Sequence, residues 1–583
     1  MVTTTDQYKR VASYAELKQK ASMTVRANHL TLVLFDYGGQ VYAVDNRCPH
    51  MGFPMDRGTL KDGILTCHWH HARFDLASGG TFDQWADDLD AYPVRIEGDD
   101  VLVDVFTKQD VVAYQRNRLR DGLERDISLV IAKSVINLLQ HGVDPVEPFT
   151  VGVDFGTRYR ESGWGRGLTT HSCTMNLIPF LNADDHPRAL YHGLADIASE
   201  TSGMAPRFCV RPLPIDSDDI PTLKRWFQQF VEVRDADAAE RCILSAIRAG
   251  ADDKQMADMM FAAATDHRYL DAGHTLDFIN KGFEALDLTG WQYADIILSS
   301  HVPNLVSSTR MEETNAWRYP VDLVAILDAA FEQLPDILNE GASKQAVEPD
   351  YDTLIPTILD DDPQQTAESL LDALKNGVTP EALAGVVVYG AARRIAQFHT
   401  SNEFNDWDTA LHTFTFANAV HQGLRRVNSA DLARGIFDAA MSIYLDRFLN
   451  IPAVKLPQPT EKVSNPAGLL EEYFDLLDQQ QQVNQAGTLV AKYLYSDGDP
   501  HALMAMMGRL LLREDRNFHT IQCVEGAFQQ FTLNQDHPQR ASHFLIAAAR
   551  YLAAHAPTMR SQGQTYQIAR RFSRNEKLFE GDE

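Results

Sequence analysis

The sequence predicts a multidomain protein in which a small all-β domain precedes a much larger all-α domain. Up to residue 108, short apolar runs alternate with Gly and Asp turns. From residue 111, apolar residues recur at three- and four-residue spacing, the period of a helix packed on one face. A length of 583 residues is enough chain for several such cores.

In the N-terminal part, Leu30-Thr-Leu-Val-Leu-Phe35, Gln40-Val-Tyr-Ala-Val44 and Val101-Leu-Val-Asp-Val105 read as strands. Turns at Tyr37-Gly-Gly39, Asp62-Gly63, Ser78-Gly-Gly80 and Gly98-Asp-Asp100 separate them, which suits a small antiparallel barrel or sandwich. Helices are expected over 127–140, 187–200, 221–249, 252–286, 321–334, 379–398, 407–426 and 429–446. Further ones are expected over 467–495, 500–513, 517–531 and 538–556. Two stretches read as linkers, the acidic 338–365 and the Pro-rich 451–466. The expected division is therefore 1–108, 111–450 and 467–575, the last either separate or continuous with the second. The final ten or so residues read as a frayed tail.

Composition excludes several function classes. Against 53 Lys+Arg stand 80 Asp+Glu, a net charge of −27, which disfavours nucleic acid and anionic membrane surfaces. No apolar run approaches the ~18–20 residues that span a bilayer. The start, MVTTTDQYKRVASYAEL, lacks the layout of a secretory signal. Six cysteines are too few for a disulfide scaffold, so a cytoplasmic, reducing setting is expected.

One motif carries chemistry. Cys48-Pro-His50 is followed, after sixteen residues, by Cys67-His-Trp-His70, each half in its own Gly-punctuated loop. Two thiolates can bind one iron and two neutral imidazoles the other, holding a 2Fe–2S cluster. Zinc also takes Cys2His2 ligation, but zinc fingers space their ligands differently. The stretch Cys48 to Gly58, then Gly63-Ile-Leu-Thr-Cys-His-Trp-His70 and Arg73-Phe-Asp-Leu76, resembles the Rieske family. That resemblance implies a Rieske 2Fe–2S domain over 1–108 with Cys48, His50, Cys67 and His70 as ligands. High-potential members add a loop disulfide and Ser and Tyr hydroxyls to the cluster sulfurs. Here Ala72 and Phe74 stand in those places, which implies a lower potential. His68 and His71 read as exposed loop residues, or as proton-coupled surface groups.

An electron-accepting cluster needs a destination. The ring-hydroxylating relatives hold a mononuclear iron through two His five residues apart, and that spacing is not found. The nearest candidate, Thr265-Asp-His267-Arg-Tyr-Leu-Asp-Ala-Gly-His274, spaces its histidines by seven. On an unbroken helix His267 and His274 would fall within about 20° of one face, although Gly273 can break it. Leu190-Tyr-His-Gly-Leu194 and Leu411-His-Thr-Phe-Thr-Phe-Ala-Asn-Ala419 loosely resemble the helical questin-oxidase-like family. On these grounds His192, His267, His274 and His412 are the candidate ligands of a mononuclear non-haem Fe(II). Each is also readable as an ordinary core or surface histidine. His412 and His421 fall on opposite faces of one helix and cannot both be ligands. Cys173, Cys209, Cys242 and Cys523 are expected to be buried, and Gly163-Trp-Gly-Arg-Gly167 to be a flexible loop.

The resulting expectation is an iron-dependent oxidoreductase, a Rieske-type oxygenase. It would receive electrons from an external reductase or ferredoxin and activate O2 against a small organic substrate. No dinucleotide fingerprint is found that would bind NADH directly. Electron transfer between subunits, as the resemblance implies, admits a homo-oligomer. The alternative is a non-catalytic electron-transfer or redox-sensing protein whose helices form a docking scaffold.

Overall fold

Period-2 alternation in the first hundred residues resolves into strands. They are β1 (Tyr8–Ser13), β2 (Ser22–Ala27), β3 (Leu30–Tyr37), β4 (Gln40–Asp45), β5 (Thr59–Lys61), β6 (Ile64–Thr66), β7 (Arg73–Asp75), β8 (Ala91–Tyr92), β9 (Val94–Glu97) and β10 (Asp100–Asp104). The computed structural model describes residues 8–28, 30–105, 110–214, 219–458, 462–574 and 576. The strands form three antiparallel sheets ordered β1-β10-β9, β2-β3-β4-β8 and β5-β6-β7. Leu32 to Phe35 of β3 are all buried, because the strand separates two cores. Val33 and Phe35 pack with Met55, Leu65, Phe74 and the two motif cysteines. Leu32 and Leu34 face Leu17, Ala43, Val101 and Val103.

The chain divides into two compact units, residues 1–144 with 564–583, and residues 145–563. Part of the boundary expected at 108–111 lies outside the described residues, as does nearly all of the expected C-terminal tail. The structure assigns helices Val111–Glu124 and Ser128–Gln140 to the β-rich unit. Their contacts explain this: Arg118 and Lys133 both reach Asp87, in the loop between β7 and β8. Residues 467–563 are no separate domain. Helix Val483–Tyr495 packs on Pro538–Ala554, which packs on Pro380–Ala396 inside the second unit.

The helical unit departs from the sequence expectation in physically readable ways. The acidic stretch 338–365 that reads as a linker holds the end of helix Leu323–Ala342, all of Tyr351–Leu359 and the start of Pro363–Lys375. Asp322, Asp350 and Asp362 are their N-caps, each side chain accepting backbone N–H groups of the first turn. The Gly163–Gly167 segment is ordered, with Trp164 fully buried and helix Arg166–Leu177 beginning inside it. Cys209 is exposed, contrary to expectation. The single helix expected over 252–286 is two, Asp253–Thr265 and His274–Thr289. Between them Tyr269, Asp271, Ala272 and Gly273 all take positive φ. Among the described residues no helix is long and apolar enough to cross a membrane.

Candidate metal centres

In the β-rich unit the four motif residues sit on two loops of matching construction. The Cys48 N–H donates to the Phe53 carbonyl at 2.8 Å, and the Cys67 N–H to the Ala72 carbonyl at 2.8 Å. Gly52 (φ 81) and His71 (φ 63) take the left-handed conformation that closes each turn. Each sulfur accepts two amides from its own loop, His50 and Met51 at Cys48, Trp69 and His70 at Cys67. Such donors stabilise thiolate, the ligating form. Both thiols are buried, and the hydrogen bond between them pushes Cys48 up and Cys67 down.

The His50 and His70 rings meet edge-on with centroids 4.8 Å apart. Burial, with smaller repulsion from His70 and Lys133, lowers His50 to about 4, so its imidazole is neutral at pH 7. Its Nδ1 is buried without a hydrogen-bond partner. Two paired thiols, two converging imidazoles and an orphaned ring nitrogen fit a 2Fe–2S cluster.

Residues 7–93 match the Rieske 2Fe-2S domain family. The 3-phenylpropionate/cinnamic acid dioxygenase ferredoxin subunit of Escherichia coli (strain K12) is 38% identical over 76 residues, which is 13% of this chain and 72% of that protein. The subunit of the same name from Shigella flexneri matches with the same identity and coverage. The chain belongs to the Rieske family. Among solved structures, the Sphingomonas yanoikuyae B1 ferredoxin is 26% identical, covering 16% of this chain and 96% of that one, with a TM-score of 0.16.

The Rieske match and the ferredoxin relatives support a Rieske-type electron-transfer or oxygenase role. Within the Rieske domain, Ala72 and Phe74 belong to the apolar core and bring no hydroxyl toward the ligand loops. His68 and His71 are exposed.

In the helical unit three histidines from three separate helices converge: His274 (helix His274–Thr289), His412 (Phe404–Arg426) and His519 (Phe518–Leu533). One nitrogen from each lies within 4.8 Å of the others. His412 Nε2 and His519 Nε2 are 3.0 Å apart, and the His274 and His412 ring centroids 4.4 Å. Burial pushes His274 down to about 3 and His412 to about 4, keeping both neutral, the form that binds metal. The His274 Nδ1 is buried with no hydrogen-bond partner.

Asp408, one turn before His412, places Oδ2 3.6 Å from His519 Nδ1. It accepts a 2.5 Å hydrogen bond from the Tyr551 hydroxyl and stands 3.8 Å from His555 Nε2. Burial works to raise this carboxyl, but His519 and Tyr551 outweigh it and hold Asp408 below its usual range. A carboxylate on the far nitrogen of a ligand imidazole fixes its tautomer and directs the other nitrogen to the ion.

The structure brings His274 and His412 together and places the other two candidates elsewhere. His192 lies on helix His186–Thr201, its Nε2 2.9 Å from the Leu512 carbonyl. His267 is removed from His274 by the helix break at 269–273 and is clamped between Glu232 and Glu312, 2.6 Å from each. His519 and Asp408 join the two histidines in this cluster. Neither carries a local spacing signal, because the partners lie on helices far apart in the chain. His421, opposite His412 on its helix, bonds Gln530 instead.

Beside the triad a cavity of about 590 Å³ reaches His274, with Phe278, Phe518, Met311, Thr275 and Arg160 in its wall. Such a volume suits a small organic molecule.

Proposed function

We propose that this protein is an iron-dependent oxidoreductase, a Rieske-type oxygenase. Its helical unit holds a mononuclear non-haem Fe(II) between His274, His412 and His519. The observation that carries this reading is the convergence of three imidazoles, one with an orphaned nitrogen, beside a substrate-sized cavity. Three nitrogen ligands leave positions open on an octahedral ion, as oxygen activation requires. A Rieske cluster held by Cys48, His50, Cys67 and His70 would supply electrons one at a time, and iron at the histidine site would supply dioxygen binding and reduction.

The chain's own residues do the rest. Asp408 orients His519, and the Tyr551 hydroxyl holds Asp408. Phe278 and Phe518 give the substrate an apolar wall beside His274. Asp277, one turn beyond His274 and fully buried, is raised by burial to about 7. Its Oδ2 accepts from Gln522 Nε2, and the carboxyl can hold a proton at neutral pH. The electron donor is an external reductase or ferredoxin, and the co-substrate is O2.

A second reading, a non-catalytic electron-transfer protein with a helical scaffold, is favoured by one observation: the curated relatives are ferredoxin subunits. Reduction of the cluster under a single-turnover regime with O2 separates the two. Reoxidation accelerated by the histidine site, and lost in His412→Ala, supports the oxygenase; identical reoxidation in both proteins supports the scaffold.

A further inference from the structure

We propose that Lys133, on a helix outside the matched Rieske segment, is a positioning residue that raises the reduction potential of the cluster through the loop carrying His50. The match to the family ends at residue 93, whereas Lys133 lies in helix Ser128–Gln140. That helix packs apolar residues on both sides of the lysine, and Lys133 is only 8% exposed. A lysine is rarely buried so far unless its ammonium is held by charge and hydrogen bonds. Its Nζ donates to the carbonyl of Pro49, the residue between ligands Cys48 and His50, and pairs with Asp87 Oδ2 at 2.9 Å.

Charge within the group formed by Lys133, Asp87 and Arg118 does not cancel. Asp87 also receives Arg118, through Nε at 2.9 Å and a terminal nitrogen at 2.8 Å. Burial works to raise Asp87, but Lys133 and Arg118 outweigh it and keep the carboxylate ionised. Two cations on one carboxylate leave a net positive charge, and Asp121, which touches Arg118 at 3.1 Å, is half exposed to solvent. The Phe572 ring covers the ammonium at 4.3 Å, leaving it poorly hydrated.

His50 ligates the iron that takes up the electron in a Rieske cluster. Reduction adds one negative charge, and a weakly screened cation held against that loop favours the reduced form. The apolar Ala72 and Phe74 remove one source of such stabilisation, and Lys133 supplies another from outside the matched segment.

The test is the midpoint potential of the full chain with its cluster assembled, read by electron paramagnetic resonance during a redox titration. In Lys133→Met the reduced-to-oxidised ratio at a fixed ambient potential is expected to fall by about threefold to tenfold, tenfold being about 59 mV for one electron. The Rieske signal and the iron-to-sulfide ratio should stay intact. Lys133→Arg is expected to retain the wild-type potential. Asp87→Asn, which leaves the lysine unneutralised, should move the potential the opposite way. An intact cluster in Lys133→Met at the wild-type potential overturns the proposal. Where that variant fails to assemble a cluster, an unchanged or lowered potential in Asp87→Asn overturns it equally, and a raised one supports it.

Discussion

His412 Nε2 and His519 Nε2 stand 3.0 Å apart, brought together from helices Phe404–Arg426 and Phe518–Leu533. That is about the separation of two imidazole nitrogens bound side by side to one ion with bonds near 2.1 Å. His274 closes the group from a third helix. Removing one imidazole should therefore empty the helical site. His519→Ala is expected to lose its iron, measured by metal analysis, while the cluster's absorption and paramagnetic signals persist. His192→Gln and His267→Gln should keep full metal content.

Asp408 should act on metal affinity rather than on folding. It bonds the Tyr551 hydroxyl and faces His519 Nδ1, so Asp408→Asn keeps shape but removes the charge that fixes the His519 tautomer. Loss of such a partner weakens metal binding by about 10–100-fold. Competition with a chelator reads this directly; an unchanged affinity would place Asp408 outside the site's chemistry.

The His267 clamp predicts a pH dependence of stability. Burial works to lower His267, but Glu312 and Glu232 raise it above its ordinary value, while both carboxyls are held below theirs. Protonated His267 between two carboxylates stabilises the fold. The imidazole's contribution is full below its unfolded pKa of about 6.5 and is lost as pH rises through the higher folded value. Thermal unfolding from about pH 6 to pH 9 should show a steeper loss of stability in wild type than in His267→Gln. Parallel curves would contradict the clamp.

Gly79 is the backbone constraint on which the loop after β7 turns. Its φ is +77, and a Cβ there would lie 1.7 Å from the Leu89 carbonyl oxygen. Gly79→Ala combines a left-handed backbone with a clash against main chain. It is expected to cost at least about 1–3 kcal/mol in the β-rich unit, measured by denaturant unfolding.

What is legible in the sequence divides by range. Cys48, His50, Cys67 and His70 are readable as candidate ligands because both halves of the motif are local loops, closed by their own backbone hydrogen bonds. The β-then-α order is readable because periodicity is local too. His274 and His412 are readable as candidates by residue type, but the pairing with His519 depends on three helices meeting. His267 joins the candidates only on a continuous helix, which the positive-φ residues between Tyr269 and Gly273 break. Asp350 and Asp362 look like linker acids because an N-cap and a solvated aspartate differ only in whether a helix starts at the next residue. Lys133 gives no signal at all: its meaning comes from Pro49 and Asp87, which the fold places against it.

The central claim is the second metal site, and metal stoichiometry with position tests it most directly. Anaerobically purified full chain should contain about three irons and two acid-labile sulfides, two irons belonging to the cluster. Anomalous scattering at the iron edge should place the third iron between His274, His412 and His519. About two irons with two sulfides, and no anomalous peak at the histidines after soaking with Fe(II), would contradict the account.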